Sequence, residues 1–224
     1  MAESEEMVLG QALFPLVEPK KVRSIMAQQL ALIKAAGLQS ESSSSTNTSP
    51  SVESNQTILE QVRAIQRVRE TILKTCAFCG FPKSITAMAY CMEAVDPELQ
   101  QLLSKSSMRG FKPHQDEATY LRETIESGQR FFDRVYKHRA EKVASDLKKY
   151  YPDLAEVAVN DIYGRILSPE HILNGIETEL IAVGSIAVQN TPTVLKGHMI
   201  GAANVGATQA QIQAVLRLAK RICP

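Results

Sequence analysis

The sequence predicts an all-α fold, a multi-helix bundle, and three observations predict it. Apolar residues return at helical spacing in segment after segment. No run of alternating apolar and polar residues is long enough for a strand. The apolar segments are bracketed by helix punctuation, proline or threonine at their starts and glycine or asparagine at their ends.

Residues 1–39 read as an N-terminal helical region, in which Pro19 to Gly37 carries Val22, Ile25, Met26, Leu30 and Ile33 at helical spacing. This helix is expected to dock on the main body. Residues 40–56 read as a flexible Ser-rich linker, because "SESSSSTNTSPSVES", residues 40 to 54, has eight serines and a single apolar side chain and cannot bury enough surface to order itself. Residues 57–224 form the main helical domain. It opens with Thr57 and Glu60 in capping-box register and an apolar stripe of Ile58, Val62, Ile65, Val68 and Ile72. "GFP" at residues 80 to 82 ends that helix, and "KSITAMAYCMEA" resumes as a shorter one, so a helical hairpin is expected. The 3.6-residue period continues through "EATYLRETIESGQRFFDRVYKHRAEKVASDLKKYY" and "PDLAEVAVNDIYGRIL". In the last third Ser168 and Pro169 are expected to start one helix, Thr191 and Pro192 a second, and Thr208 with Gln211 a third, with Asn190 and Gly206 at the breaks.

A chain of 224 residues can bury a substantial core without a disulfide staple. With Lys+Arg 25 against Asp+Glu 24, it builds no single-sign field, so neither nucleic acid nor a membrane surface is an expected partner. The basic cluster from Lys137 to Lys149 is interrupted by Glu141 and Asp146 and reads as a solvated helix face. "LIAVGSIAV", Leu180 to Val188, falls well short of the roughly 20 residues of a membrane span and reads as a buried core helix. The acidic start "MAESEEMVLG" has no secretory or mitochondrial character, and "KRICP" is not a peroxisomal C-terminal tripeptide, so a cytoplasmic location is expected. Cysteines in such a compartment are reduced thiols.

The stretch "ETELIAVGSIAVQNTPTVLKGHMIGAANVGAT", residues 177 to 208, carries the candidate chemistry. Glu179 lies deep in one helix and His198 two turns into the next. Counted from the intervening turn at 1.5 Å per residue, they stand about 16 Å and about 10 Å along their helices. A water, a bulge or a tilt is needed to bring them together. If they meet, a carboxylate orienting an imidazole is the minimum equipment of a general acid and base. Otherwise His198 is a satisfied core histidine and Glu179 an exposed carboxylate at a helix start. Glu177 is a second candidate acid, but it points about 200° away from Glu179, so only one of them faces inward.

These residues resemble the carboxymuconolactone decarboxylase family, which is related to the alkylhydroperoxidase D-type proteins. "GHMIGAANVGAT" followed by "AQIQAVL" is the most specific part, and "CAFCGFPKSITAM" is similar to a second signature that in the family normally follows the histidine block. Here it precedes that block, which suggests either a rotated arrangement or a degenerate N-terminal copy of the same helical unit. The resemblance covers roughly residues 57 to 95 and 127 to 222. It implies the all-α bundle of the alkylhydroperoxidase D-like type, a homo-oligomer, and a pocket in which His198 moves protons and Glu179 orients it on a small carbonyl or carboxylate substrate. The peroxidase branch of the family carries a Cys-x-x-Cys pair where this chain has Thr191 and Val194. Its thiol cycle therefore cannot run at that position, and the decarboxylase branch is the better match. Lys196, the cation nearest in sequence to His198, falls on a different helix face.

Cys76 and Cys79 form a Cys-x-x-Cys elsewhere and are the redox candidates of an alternative reading, a thiol antioxidant. They sit in the last turn of a helix, where the dipole disfavours a thiolate. The other reading of the pair is core packing at a helix crossing. Cys91 and Cys223 have no partner at motif spacing. His114, His138, His171 and His198 show no metal-ligand spacing, so neither metal nor cofactor is expected. A third reading of the whole chain is a binding or scaffold protein without turnover.

Overall fold

The computed structural model describes residues 19–43, 50–110, 112 and 115–222, and among them every regular element is helical. Helices α1 (Pro19–Ser43), α2 (Pro50–Cys79) and α3 (Phe81–Glu93) pack on one another. Val22, Met26 and Leu30 of α1 meet Ile65, Val68 and Ile72 of α2 in a shared core, so the apolar spacing of α1 marks the face by which it docks. Gly80, at φ 87, makes the break between α2 and α3 in a conformation open to glycine at little cost.

The Ser-rich stretch differs from its expectation. Helix α1 continues past Gly37 to Ser43, and α2 begins at Pro50, so the linker expected over residues 40–56 is helical at both ends, while residues 44–49 lie outside the described residues. Extending a helix that already exists adds one hydrogen bond per residue without a new nucleus, and serine is only a mildly poor helix former. Thr57 and Glu60 accordingly sit inside α2, where Glu60 accepts from Gln56 at 3.0 Å instead of closing a capping box.

Helix α4 (Pro97–Gln101) is followed by α5 (Glu117–Tyr136), whose first turn is capped by Asp116 accepting from the Thr119 amide at 2.9 Å. Lys137, at φ 47, interrupts the long helical pattern at a 3₁₀ turn before α6 (Ala140–Tyr150). Helix α7 (Pro152–Glu156) runs directly into a π-helix, Val157–Leu167, which crosses α5 at a pair of glycines. A Cβ on Gly128 would lie 2.4 Å from the Val159 oxygen and 2.6 Å from the Gly164 nitrogen, so the two backbones touch.

Ser168 and Pro169 do not start the next helix. The Ser168 amide closes the π segment on the Tyr163 oxygen at 2.8 Å, and its hydroxyl is spent on the Gly164 oxygen at 2.8 Å, leaving it no capping role downstream. Helix α8 (Gly175–Ala187) begins instead at Asn174, in a capping box with Glu177 closed by hydrogen bonds of 3.0 and 2.8 Å. Helices α9 (Pro192–Val205) and α10 (Gln209–Ile222) start where Thr191–Pro192 and Thr208–Gln211 predict, with Asn190 at φ 51 and Gly206 at φ 113 in the breaks. Buried almost along its length, α8 packs on α2, α9 and α10 and is the central element.

Candidate functional site

Glu179 of α8 and His198 of α9 meet directly. The imidazole Nδ1 lies 3.0 Å from Glu179 Oε2, with the carboxylate fully buried and the histidine 6% exposed. No water or bulge is needed, because Gly201 sits one turn beyond His198 and leaves the space the carboxylate fills. A Cβ there would lie 2.7 Å from Glu179 Oε2 and 2.6 Å from Val135 Cγ1. Glu177 turns the other way, to cap α8 and pair with Arg67, so Glu179 is the inward acid. The alternative of an exposed Glu179 at a helix start is thereby overturned.

Where the carboxylate accepts this bond, Nδ1 is the donor and Nε2 is the ring nitrogen left for another partner. Glu179 Oε1, also buried, has no hydrogen-bond partner among the described residues. Such an oxygen is costly to bury and is suited to receive a proton or a donor from elsewhere. Around the ring, half-buried Phe78 and Tyr136 stand edge-on at 5.5 and 6.3 Å between centroids. Burial raises the Tyr136 phenol above its ordinary range, and the charge of Glu179 adds to the rise. The Tyr163 hydroxyl is 3.4 Å from that of Tyr136, and Asn204 ties α9 to the end of α5 by donating to the Val135 oxygen at 2.7 Å.

No local spacing marks the aromatic pair, although Phe78 lies inside the Cys-x-x-Cys and Gly201 follows the histidine at helix-turn spacing. Cys76 is buried and Cys79 half-buried at the end of α2, beside the turn between α8 and α9, where Gln189 Nε2 lies 3.8 Å from Cys79 Sγ. Burial pushes the Cys76 thiol up rather than down. Cys91 belongs to the core between α1, α2 and α3, with its thiol pushed up to about 12. His138, His171 and Lys196 are exposed, while His114 and Cys223 lie outside the described residues. Among the described residues no group of three or more His, Cys, Asp or Glu is placed to hold a metal, and no helix is long and apolar enough to cross a membrane.

A second buried polar cluster escapes sequence reasoning. Lys74 of α2 is fully buried and donates to the Leu167 and Pro169 oxygens at 2.8 Å and to Thr178 Oγ1 at 2.7 Å. Desolvation lowers its ammonium to about 8, with Glu70 at 4.0 Å acting against the shift. Arg109 pairs with the same Glu70 and donates through Nε to the Arg165 oxygen at 2.8 Å. These cations satisfy the last carbonyls of the π segment.

No family model matches the chain, and no solved structure matches it significantly. Two curated relatives do, both named peroxisomal protein 2. That of Saccharomyces cerevisiae is 29% identical over 175 residues, which is 71% of this chain and 61% of the relative. That of Schizosaccharomyces pombe is 24% identical over 156 residues, 70% of this chain and 68% of the relative. The matched region thus spans less than two thirds of the first relative's length. The names of both relatives overturn the expected cytoplasmic location, which rested on terminal sequences alone.

Proposed function

We propose that this chain is a carboxymuconolactone decarboxylase-like acid–base catalyst acting on a small carbonyl or carboxylate compound. The observation that carries the reading is the buried 3.0 Å bond between Glu179 and His198, delivered by consecutive helices. In this reading His198 Nε2 takes a proton from a carbon next to a carbonyl, or returns one to it, while Glu179 positions the ring and stabilises the imidazolium that forms. Phe78 and Tyr136 stand edge-on beside the ring and supply apolar neighbours to it. Lys196 is exposed on α9, whereas the His198 ring is buried.

The thiol-antioxidant alternative is weaker, since burial raises Cys76 and the pair lies at a helix C-terminus. A scaffold without turnover is the third outcome. We also infer a peroxisomal location, on the names of the two relatives, and expect a fluorescent fusion of the full chain to coincide with a peroxisomal marker.

Turnover of a panel of lactones and β-keto acids tests the catalytic reading. His198→Ala is expected to lower kcat by about 10²–10⁴-fold, the usual contribution of a general acid or base. Glu179→Gln is expected to lower it less and to alter the pH profile, and Cys79→Ser to leave it unchanged. Hydroperoxide consumption abolished by Cys79→Ser would move the assignment to the thiols. A folded parent chain inactive on both panels would favour the scaffold.

A further inference from the structure

Away from His198, a hollow of about 440 Å³ opens between the residues that precede α5, the first part of α5, the π segment and the residues that follow it. Its volume falls in the range of small-molecule sites. The α5 side of its lining ends at Arg130, and Tyr136 beside His198 lies about 9 Å further along the helix axis. It is therefore a separate site.

The charge of its lining is lopsided. Arg165 and His171 are exposed and have no ion-pair or hydrogen-bond partner for their side chains among the described residues, and Arg130 has only an exposed pairing with Glu126 at 3.6 Å. The acid among the lining residues, Glu123, is already engaged by Gln115 Nε2 at 2.8 Å. Arg109 is already paired with Glu70 and plays a different part. Its Nε bonds the Arg165 oxygen at 2.8 Å and its Nη2 the Ile166 oxygen at 3.2 Å, pinning the backbone that carries Arg165.

The wall of the hollow is ordered from behind. Ser168, 7% exposed, gives its proton to the Gly164 oxygen at 2.8 Å and lies 2.8 Å from Ser127 Oγ, so Ser127 donates to it. The Gly128–Gly164 contact sets the distance between the two walls. π-Helical pairing is rare and occurs mostly at functional sites, and here it runs for 11 residues up to the edge of the hollow.

We propose that this hollow binds a small organic anion bearing a carboxylate or a phosphate group, with Arg165 and Arg130 as its charge partners and His171 at the rim. Guanidinium forks match both groups in geometry. The proposal does not depend on the chemistry at His198.

Isothermal titration of the full chain with inorganic phosphate, and separately with succinate, against sodium chloride at matched ionic strength, tests it. We expect saturable binding of at least one of the two anions. Phosphate binding alone would mark a phosphate ester as the ligand class, and succinate binding alone a carboxylate. The double variant Arg130→Gln/Arg165→Gln is expected to bind at least about ten-fold more weakly, the loss of one good charged contact. Arg165→Lys, which keeps the charge without the fork, should fall between them. Lys148→Gln/Lys149→Gln removes the same charge from exposed positions of α6 and is expected to bind like the parent. No saturable binding of either anion, or equal weakening in the α6 control, overturns the proposal.

Discussion

Glu179 has the most to lose from its position. A carboxylate with no exposure to water is costly unless it is paired, and His198 is the partner that the structure supplies for one of its oxygens. Removing one member of such a pair costs more than replacing both. We expect His198→Ala to lower the unfolding free energy by about 3–5 kcal/mol, the usual cost of leaving a buried charge alone. The double variant Glu179→Leu/His198→Leu should recover much of that loss, because it removes the charge together with its partner. Urea unfolding of the single and double variants checks the order. A double variant less stable than the single would mean that the pair contributes more than mutual satisfaction.

At the scale of elements, α9 has one glycine that matters for contact and one that does not. A Cβ at Gly201 would press to 2.6 Å on Val135 and 2.7 Å on Glu179, whereas a Cβ at Gly197 would meet nothing within 4 Å. Substitutions of opposite sign therefore belong to one helix. Gly201→Ala is expected to cost about 1–3 kcal/mol by overpacking and to disrupt the Glu179–His198 bond. Gly197→Ala is expected to stabilise by about 0.5–1 kcal/mol, because alanine loses less backbone freedom in a helix interior. Thermal melts of both variants, with the parent as reference, give the two signs. The same argument explains the π segment, where Gly128 and Gly164 let α5 approach so closely that backbone rather than side chains forms the contact.

Across the whole molecule, α2 joins the α1–α3 core to the helices that carry the site. Besides the apolar contacts of Ala77 and Phe78, polar links make the joint: Arg67 to Glu177 and the Ile172 oxygen, Lys74 to the Leu167 and Pro169 oxygens and Thr178, and Arg109 to Glu70. Lys74 makes this joint sensitive to pH. Its folded pKa, about 8, lies below the ordinary 10.5 of a lysine amine, so between those values the unfolded chain binds more protons and stability rises with pH. The destabilising contribution is full below pH 8 and is relieved by pH 10.5. Cys91, pushed from 9.0 to about 12, works in the opposite direction above pH 9.0, so the informative quantity is the difference between chains. In Lys74→Met the Lys74 part of the rise is expected to vanish. Urea unfolding from pH 8 upward should show a parent-minus-variant difference that grows by on the order of 1–3 kcal/mol.

The all-helical architecture, the face by which α1 docks, the break at Gly80 and the starts of α9 and α10 are legible in the residues, because each rests on spacing or on a cap within one turn. Glu179 and His198 could be named from their place in consecutive helices, but not joined. Counting rise per residue locates two side chains along their axes and says nothing of how closely the axes approach, which a glycine at position 201 decides. The start of α8 is not legible for a related reason: the hydroxyl of Ser168, free to cap in an isolated peptide, is taken by Gly164 once the π segment folds. Lys74, Arg109 and the hollow beside Arg165 depend on partners tens of residues away. Local sequence alone thus determined the helical character of the chain and the apolar faces of α1 and α2, since those follow from interactions within a few residues. Tertiary structure decided which buried charges find each other and where a cavity forms between helices, since both depend on distances between segments that no local spacing encodes.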